Sequence, residues 1–164
     1  MKRLLIFISA ALVLSLSTQI SKAQNKHEAS VNVSEGIFPK GTKGPAQFFT
    51  GNAYNTGLVG MDSTYTTLVG NVYFEAGARS NWHSHPAGQI LIITAGVGYH
   101  QIEGEPIQVM RKGDVVKCPP NAKHWHGASH DTGLQQMYII PNIEKGVVEW
   151  MEAVTDEQYD QANQ

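Results

Sequence analysis

From Tyr65 to about residue 141 the chain is written in short apolar or alternating runs, each soon stopped by Gly, Pro, Asn or Asp. The runs are Tyr65–Phe74, rich in β-branched and aromatic residues, then Gln89–Thr94, Val97–Ile102, Pro106–Met110, Val115–Cys118 and Leu134–Ile140. This rhythm predicts an antiparallel all-β domain. Ala95-Gly96, Glu103-Gly104-Glu105-Pro106 and Lys112-Gly113-Asp114 supply residues that tolerate tight reversals. Helical signals are confined to the end, where Thr155-Asp156-Glu157-Gln158 offers a capping box for one short helix at about 155–162. No repeat or second domain is visible.

Composition narrows the function classes. With 41% apolar and 16% charged residues and a formal charge of −2, the 164 residues fit one globular domain. They do not fit a disordered chain or a nucleic-acid binder. Cys118 stands alone, so neither an intramolecular disulfide nor a four-thiolate zinc site can form within one chain.

The folded part is shorter than the sequence. Lys2-Arg3 precede an uncharged apolar run, Leu4–Leu16, followed by Ser21-Lys22-Ala23, a small-x-small cleavage pattern. This reads as a secretory signal peptide over residues 1–23. As a membrane anchor the run is too short, since at 1.5 Å per residue it reaches about 20 Å of a roughly 30 Å core. Cleavage leaves Gln24–Gln164 with nine basic against 14 acidic residues, so export to a periplasmic or secreted location without membrane attachment is expected. Residues 24–46, polar with Pro39 and Pro45, read as a flexible arm leading into a domain over 47–164, whose barrel occupies about 65–141.

Histidine carries the chemistry. His83-Ser84-His85 and His124-Trp125-His126 are two His-x-His pairs about forty residues apart. In strands alternate side chains share a face, so each pair can aim both imidazoles inward. With Gln89 nearby, two antiparallel strands can assemble a nitrogen- and oxygen-lined site suited to Mn, Fe, Co, Ni or Zn. Pro86, Pro119 and Pro120 fix φ beside these residues, and they serve equally as strand terminators.

The spacing of Gly77, His83-x-His85, Gln89 and Gly96 resembles the first cupin motif, with Gln89 in place of the usual Glu. Gly113, Pro119, Asn121 and His124 resemble the second motif, with Asn121 for the usual Gly and Ala128 for the usual Asn. A narrower likeness covers nearly the whole exported chain. The stretches Asn81–Gln89, Lys123–Ala128, Val147–Met151 and Asp156–Tyr159 are similar to bacterial cupins related to manganese-dependent hydroxynitrile lyase and to carboxymuconolactone decarboxylase-associated cupins. The resemblance implies a single double-stranded β-helix, or jelly-roll, barrel. It also implies metal ligands at His83, His85, Gln89 and His124. A three-His, one-Gln set belongs to this subgroup. Where the lyase pattern places a histidine in the last strand, this chain has Gln136.

A neutral glutamine ligand leaves a bound dication its full formal charge, which favours Lewis-acid work over O₂ activation. The leading expectation is a lyase that breaks a carbon–carbon bond of a small hydroxylated or carbonyl compound with an Mn-like ion. His126 is the candidate proton carrier, since it lies two residues beyond a ligand on the same face. Gln136 is the candidate for orienting a substrate oxygen or filling the barrel. An Fe(II)-dependent dioxygenase and a non-catalytic metal and small-ligand binding module are the alternatives. Pairing through sheet edges, aided by the arm, predicts a homodimer.

Overall fold

The computed structural model describes residues 36–163. The signal peptide and the first part of the arm lie outside the described residues. Among those described, twelve strands form: β1 (Thr42–Lys43), β2 (Phe49–Thr50), β3 (Ala53–Val59), β4 (Leu68–Phe74), β5 (Arg79–Ser80), β6 (His83–Ser84), β7 (Gln89–Ile102), β8 (Gln108–Arg111), β9 (Val115–Cys118), β10 (His124–Ala128), β11 (Leu134–Ile140) and β12 (Glu149–Trp150). They run in the order β1-β3-β4-β11-β7-β10-β5-β2, with β8 and β9 both joined to β7 and β6 joining β10 to β12. Every pairing is antiparallel. The curled, two-faced sheet is consistent with a jelly-roll barrel.

β7 belongs to both faces. Its first half pairs with β11 and β9, its second half with β10 and β8. The crossing is at Gly96, whose φ of +80° lies in the left-handed region. Ala95-Gly96, read from sequence as a turn between two strands, is therefore a bend inside one strand of 14 residues. A turn and a bend both need the same glycine, so local residue types do not separate them.

The ladder begins earlier than the apolar pattern predicts. β3 covers Ala53–Val59, where Asn55 and Gly57 dilute the β signal. Tyr65 stays outside β4, because the Asp62 carboxylate accepts the backbone N–H groups of Thr64 and Tyr65 and turns the chain there. The described end of the segment read as an arm is tied down: β1 pairs with β3, Gln135 donates to the Phe38 carbonyl, and Lys40 bonds Glu75 while lying over the Tyr54 ring. A short edge strand and a linker share the same polar composition, and only partners supplied by other strands tell them apart.

Alternation along the strands produces two apolar layers. Val72, Phe74, Leu91, Ile93, Val116 and Leu134 fill the space between the sheets. On the other side of β10, Trp125 packs with Trp82, Tyr99, Val154 and Tyr159. That outer layer is roofed by the helix Asp156–Asp160, where Thr155 and Gln158 form the capping box anticipated from sequence. Tyr159 donates to the Ala128 carbonyl and the buried Arg79 guanidinium donates to the Val154 carbonyl, so the helix is fastened to the strand that carries the second His-x-His pair.

Candidate metal centre

Strand register brings the two histidine pairs together. His83 on β6 is the cross-strand partner of His124 on β10, and His85 follows just after β6. The sharp reversal from His85 into β7 is closed by Gly88 at φ +80°, whose N–H bonds the His85 carbonyl. A second N–H on that carbonyl comes from Asn121, itself at φ +61°. Asparagine replaces the usual glycine of the second motif at a position that demands the left-handed region, which asparagine tolerates better than other non-glycine residues.

His83, His85 and His124 form a buried cluster whose ligand atoms lie within 4.8 Å of one another. The opposite ring nitrogens are anchored on backbone carbonyls. Nδ1 of His83 bonds Asn81 O at 2.9 Å, Nδ1 of His124 bonds Ala122 O at 2.8 Å, and Nδ1 of His85 bonds Val147 O. A carbonyl only accepts, so each Nδ1 carries the proton and each Nε2 presents a bare lone pair to the cluster. Nε2 of His85 is buried and has no partner among the described residues. Gln89, the first residue of β7, places Oε1 3.3 Å from Nε2 of His124. Two acceptors therefore face each other across that gap, an arrangement that a shared cation satisfies. Carbonyl-anchored imidazoles with converging lone pairs fit a divalent metal ion.

Electrostatics prepare the same state. Burial pushes His124 down to about 3. His83 is held well below the usual histidine range by burial first and by His124 second. Burial also lowers His85, against the opposing bond to Val147. The three rings are thus neutral at pH 7 and need shed no proton to bind a metal.

A cavity of about 200 Å³ opens onto the cluster. His83, His85, Gln89 and His126 form its polar end, and Phe49, Val72, Ile140 and Trp150 belong to its apolar walls. Trp150 comes from β12, which pairs with β6; its ring lies 5.0 Å from His83 and stacks at 4.5 Å on Phe48.

The sequence-predicted residues fall into two groups. His83, His85, Gln89 and His124 converge. His126 stands beside them, its ring 5.1 Å from His83, and borders the cavity. Gln136 on β11 does not line the cavity; it sits behind His126, with Nε2 2.8 Å from its Nδ1. Cys118 is buried, as its apolar neighbours implied, but its thiol also meets a polar group, Nε2 of His100 at 3.2 Å. His100, the Val147 carbonyl and the Trp150 wall escaped the sequence reading. Val147–Trp150 stood out only as part of a family likeness, and no residue pattern marks a backbone carbonyl as an anchor.

Comparison with known proteins bears on the family and the fold. Residues 70–140 match the cupin domain family. An (R)-mandelonitrile lyase of Granulicella tundricola is 44% identical over 117 residues, covering 71% of this chain and 89% of that protein. The chain belongs to the cupin family. A cupin-like protein from Thermotoga maritima shares 48% identity with this cupin, with a TM-score of 0.74 over 77% of this chain and 96% of that one. At 18% identity, a cupin 2 conserved barrel protein from Rhodopseudomonas palustris superposes with a TM-score of 0.56, covering 71% of this chain and 78% of that chain, and so speaks for the fold alone.

Proposed function

We propose that this cupin is an exported, metal-dependent lyase that cleaves a carbon–carbon bond in a small hydroxylated or carbonyl compound, with a cyanohydrin as the first substrate to try. His83, His85, Gln89 and His124 would hold the ion, manganese ahead of iron, zinc, cobalt or nickel. The observation that carries the reading is the set of three carbonyl-anchored imidazoles and one neutral amide oxygen at the end of an apolar cavity. Likeness to a mandelonitrile lyase at 44% identity supports the choice of reaction.

When bound, the dication supplies Lewis acidity, undiminished by any anionic ligand in the set. The protein's own contribution is positional. Phe49, Val72, Ile140 and Trp150 exclude water and receive the apolar part of a substrate. His126 meets the substrate at the polar end, beside the ligands. The fixed Nδ1 anchors keep the three rings from turning, so the site is organised before anything binds.

The test is an assay of purified, manganese-loaded protein for benzaldehyde release from mandelonitrile, extended to retro-aldol and decarboxylation substrates. Turnover without O₂ uptake is expected. No cleavage across the set would refute the lyase reading, and O₂ consumption in step with turnover would favour the dioxygenase alternative. The same reading includes export with cleavage after Ala23 and a homodimer formed through a sheet edge.

A further inference from the structure

His126 and Gln136 make a pair whose hydrogen-bond arithmetic assigns a role to each. Both are buried, Gln136 completely, and Nε2 of Gln136 lies 2.8 Å from Nδ1 of His126. Two arrangements are possible. In the first, one Gln136 amide N–H donates to a bare Nδ1, and Oε1 of Gln136 and the second amide hydrogen are left without partners among the described residues. In the second, the amide is turned over, Nδ1–H donates to Oε1, and the whole NH₂ group is left in the protein interior with two unpaired hydrogens. The first leaves one carbonyl and one donor hydrogen unpaired, the second two donor hydrogens; orphaned buried donors are rarer and costlier than an under-used carbonyl, so the first arrangement wins.

A histidine whose Nδ1 accepts must carry its proton on Nε2. That nitrogen makes no hydrogen bond among the described residues, and the ring borders the cavity beside His83. We infer that Gln136 is a positioning residue that sets the tautomer of His126, and that His126 presents Nε2–H as a hydrogen-bond donor to the oxygen of a carbonyl or alkoxide ligand in the cavity. This differs from the proton-carrier role read for His126 from the sequence, since neither nitrogen then offers a free lone pair. The two residues come from different sheets, β10 and β11 being joined only through β7, and the pairing exists only because both inward faces close on the same space. The choice of ligand rests on the lyase reading; the tautomer does not.

The experiment is ¹H–¹⁵N correlation of histidine-labelled, zinc-loaded protein, with His126 assigned by the peaks lost in His126→Gln. The Nε2–H pattern is expected in the unsubstituted chain, and an Nδ1–H pattern would overturn the inference. Gln136→Glu supplies an acceptor at the same place and is expected to move the proton to Nδ1, whereas Gln136→Met, of similar shape, removes the donor without adding an acceptor and is expected to yield a mixture of tautomers. An unchanged spectrum in both variants would show that Gln136 does not set the tautomer. Benzaldehyde, as the oxygen-bearing probe, is expected to shift the Nε2–H signal, and no shift at saturating probe would rule out the donor role. His126→Leu should bind benzaldehyde about tenfold more weakly, while His126→Gln, which keeps an N–H near the Nε2 position, should stay within about threefold. Equal losses in the two variants would also overturn the donor role. Protein that shows the tautomer and the shift but leaves mandelonitrile intact would sink the lyase reading and leave this inference standing.

Discussion

At the scale of single residues, the centre works by denying histidine its usual freedom. Each of His83, His85 and His124 has one nitrogen committed to a backbone carbonyl, which leaves the other nitrogen as a fixed lone pair. Replacing His83 by Ala is therefore expected to lower the metal bound per chain at least about tenfold, read by elemental analysis of protein purified without added metal. Unchanged content would mean the ion sits elsewhere. Burial of neutral imidazole also ties stability to pH. His124 at about 3 and His100 at about 4 both lie below the ordinary 6.5. The unfolded chain thus takes up protons that the folded chain refuses. The stability from keeping these rings neutral is complete above about pH 6.5 and is lost as the pH falls towards 4 and then 3, on the order of 1 kcal/mol per pH unit for each ring. Metal-free protein should show a urea midpoint that drops steadily between pH 7 and 4. A flat midpoint would contradict this.

At the scale of elements, β7 supplies part of the site directly, whereas the C-terminal helix only backs β10 on its outer side. β7 delivers Gln89 at its start and turns between the two sheets at Gly96. A Cβ there would lie 1.9 Å from the Gly133 carbonyl oxygen, a backbone atom that cannot swing aside, and φ is +80°. Gly96→Ala is expected to cost about 2 kcal/mol or more in chemical unfolding, with reduced metal retention because Gln89 shifts along with the strand. A Gly96→Ala protein as stable as the parent would refute this account of the bend. The helix acts more gently. Thr155→Ala removes the cap from Asp156–Asp160 and should cost about 1 kcal/mol while leaving metal binding intact, since the helix packs on the outer side of β10. Loss of metal in that variant would show the helix to be coupled to the ligands more tightly than the packing indicates.

Across the whole molecule, an ion bound at the cluster would link chain segments that are distant in sequence. His83 and His85, Gln89, and His124 enter from three separate strand ends, and the Val147 carbonyl behind His85 comes from a fourth segment. An ion that binds this arrangement and not the unfolded chain stabilises all of it by mass action. Removing the metal with a chelator is expected to lower the melting midpoint by about 5–10 °C, corresponding to roughly 2.7 kcal/mol at a hundredfold excess over Kd. No shift would mean that the site contributes nothing to folding. Light scattering should give the mass of two chains for the exported form, whose first residue is expected to be Gln24; a monomer mass would refute the edge-paired dimer.

Much of this was legible in the chain itself, because the features concerned are local. Val115–Cys118 and Leu134–Ile140 become strands at the predicted residues, and Thr155 and Gln158 cap the helix through contacts three residues apart. The two His-x-His pairs announced a metal-type cluster because a period of two in a strand puts both rings on one face. Other features were decided by contacts between residues far apart in sequence. Ala95-Gly96 became a bend because β11 and β10 both pair with β7, and residues 42–43 became a strand because β3 was there to receive them. Gln136 reaches His126 only when the barrel closes. By itself the sequence determined which residue types are available for chemistry and the period with which they repeat. The tertiary structure decided which nitrogen of each histidine is held, which is free, and what lies opposite it, because a hydrogen-bond partner is set by position in space and not by position along the chain.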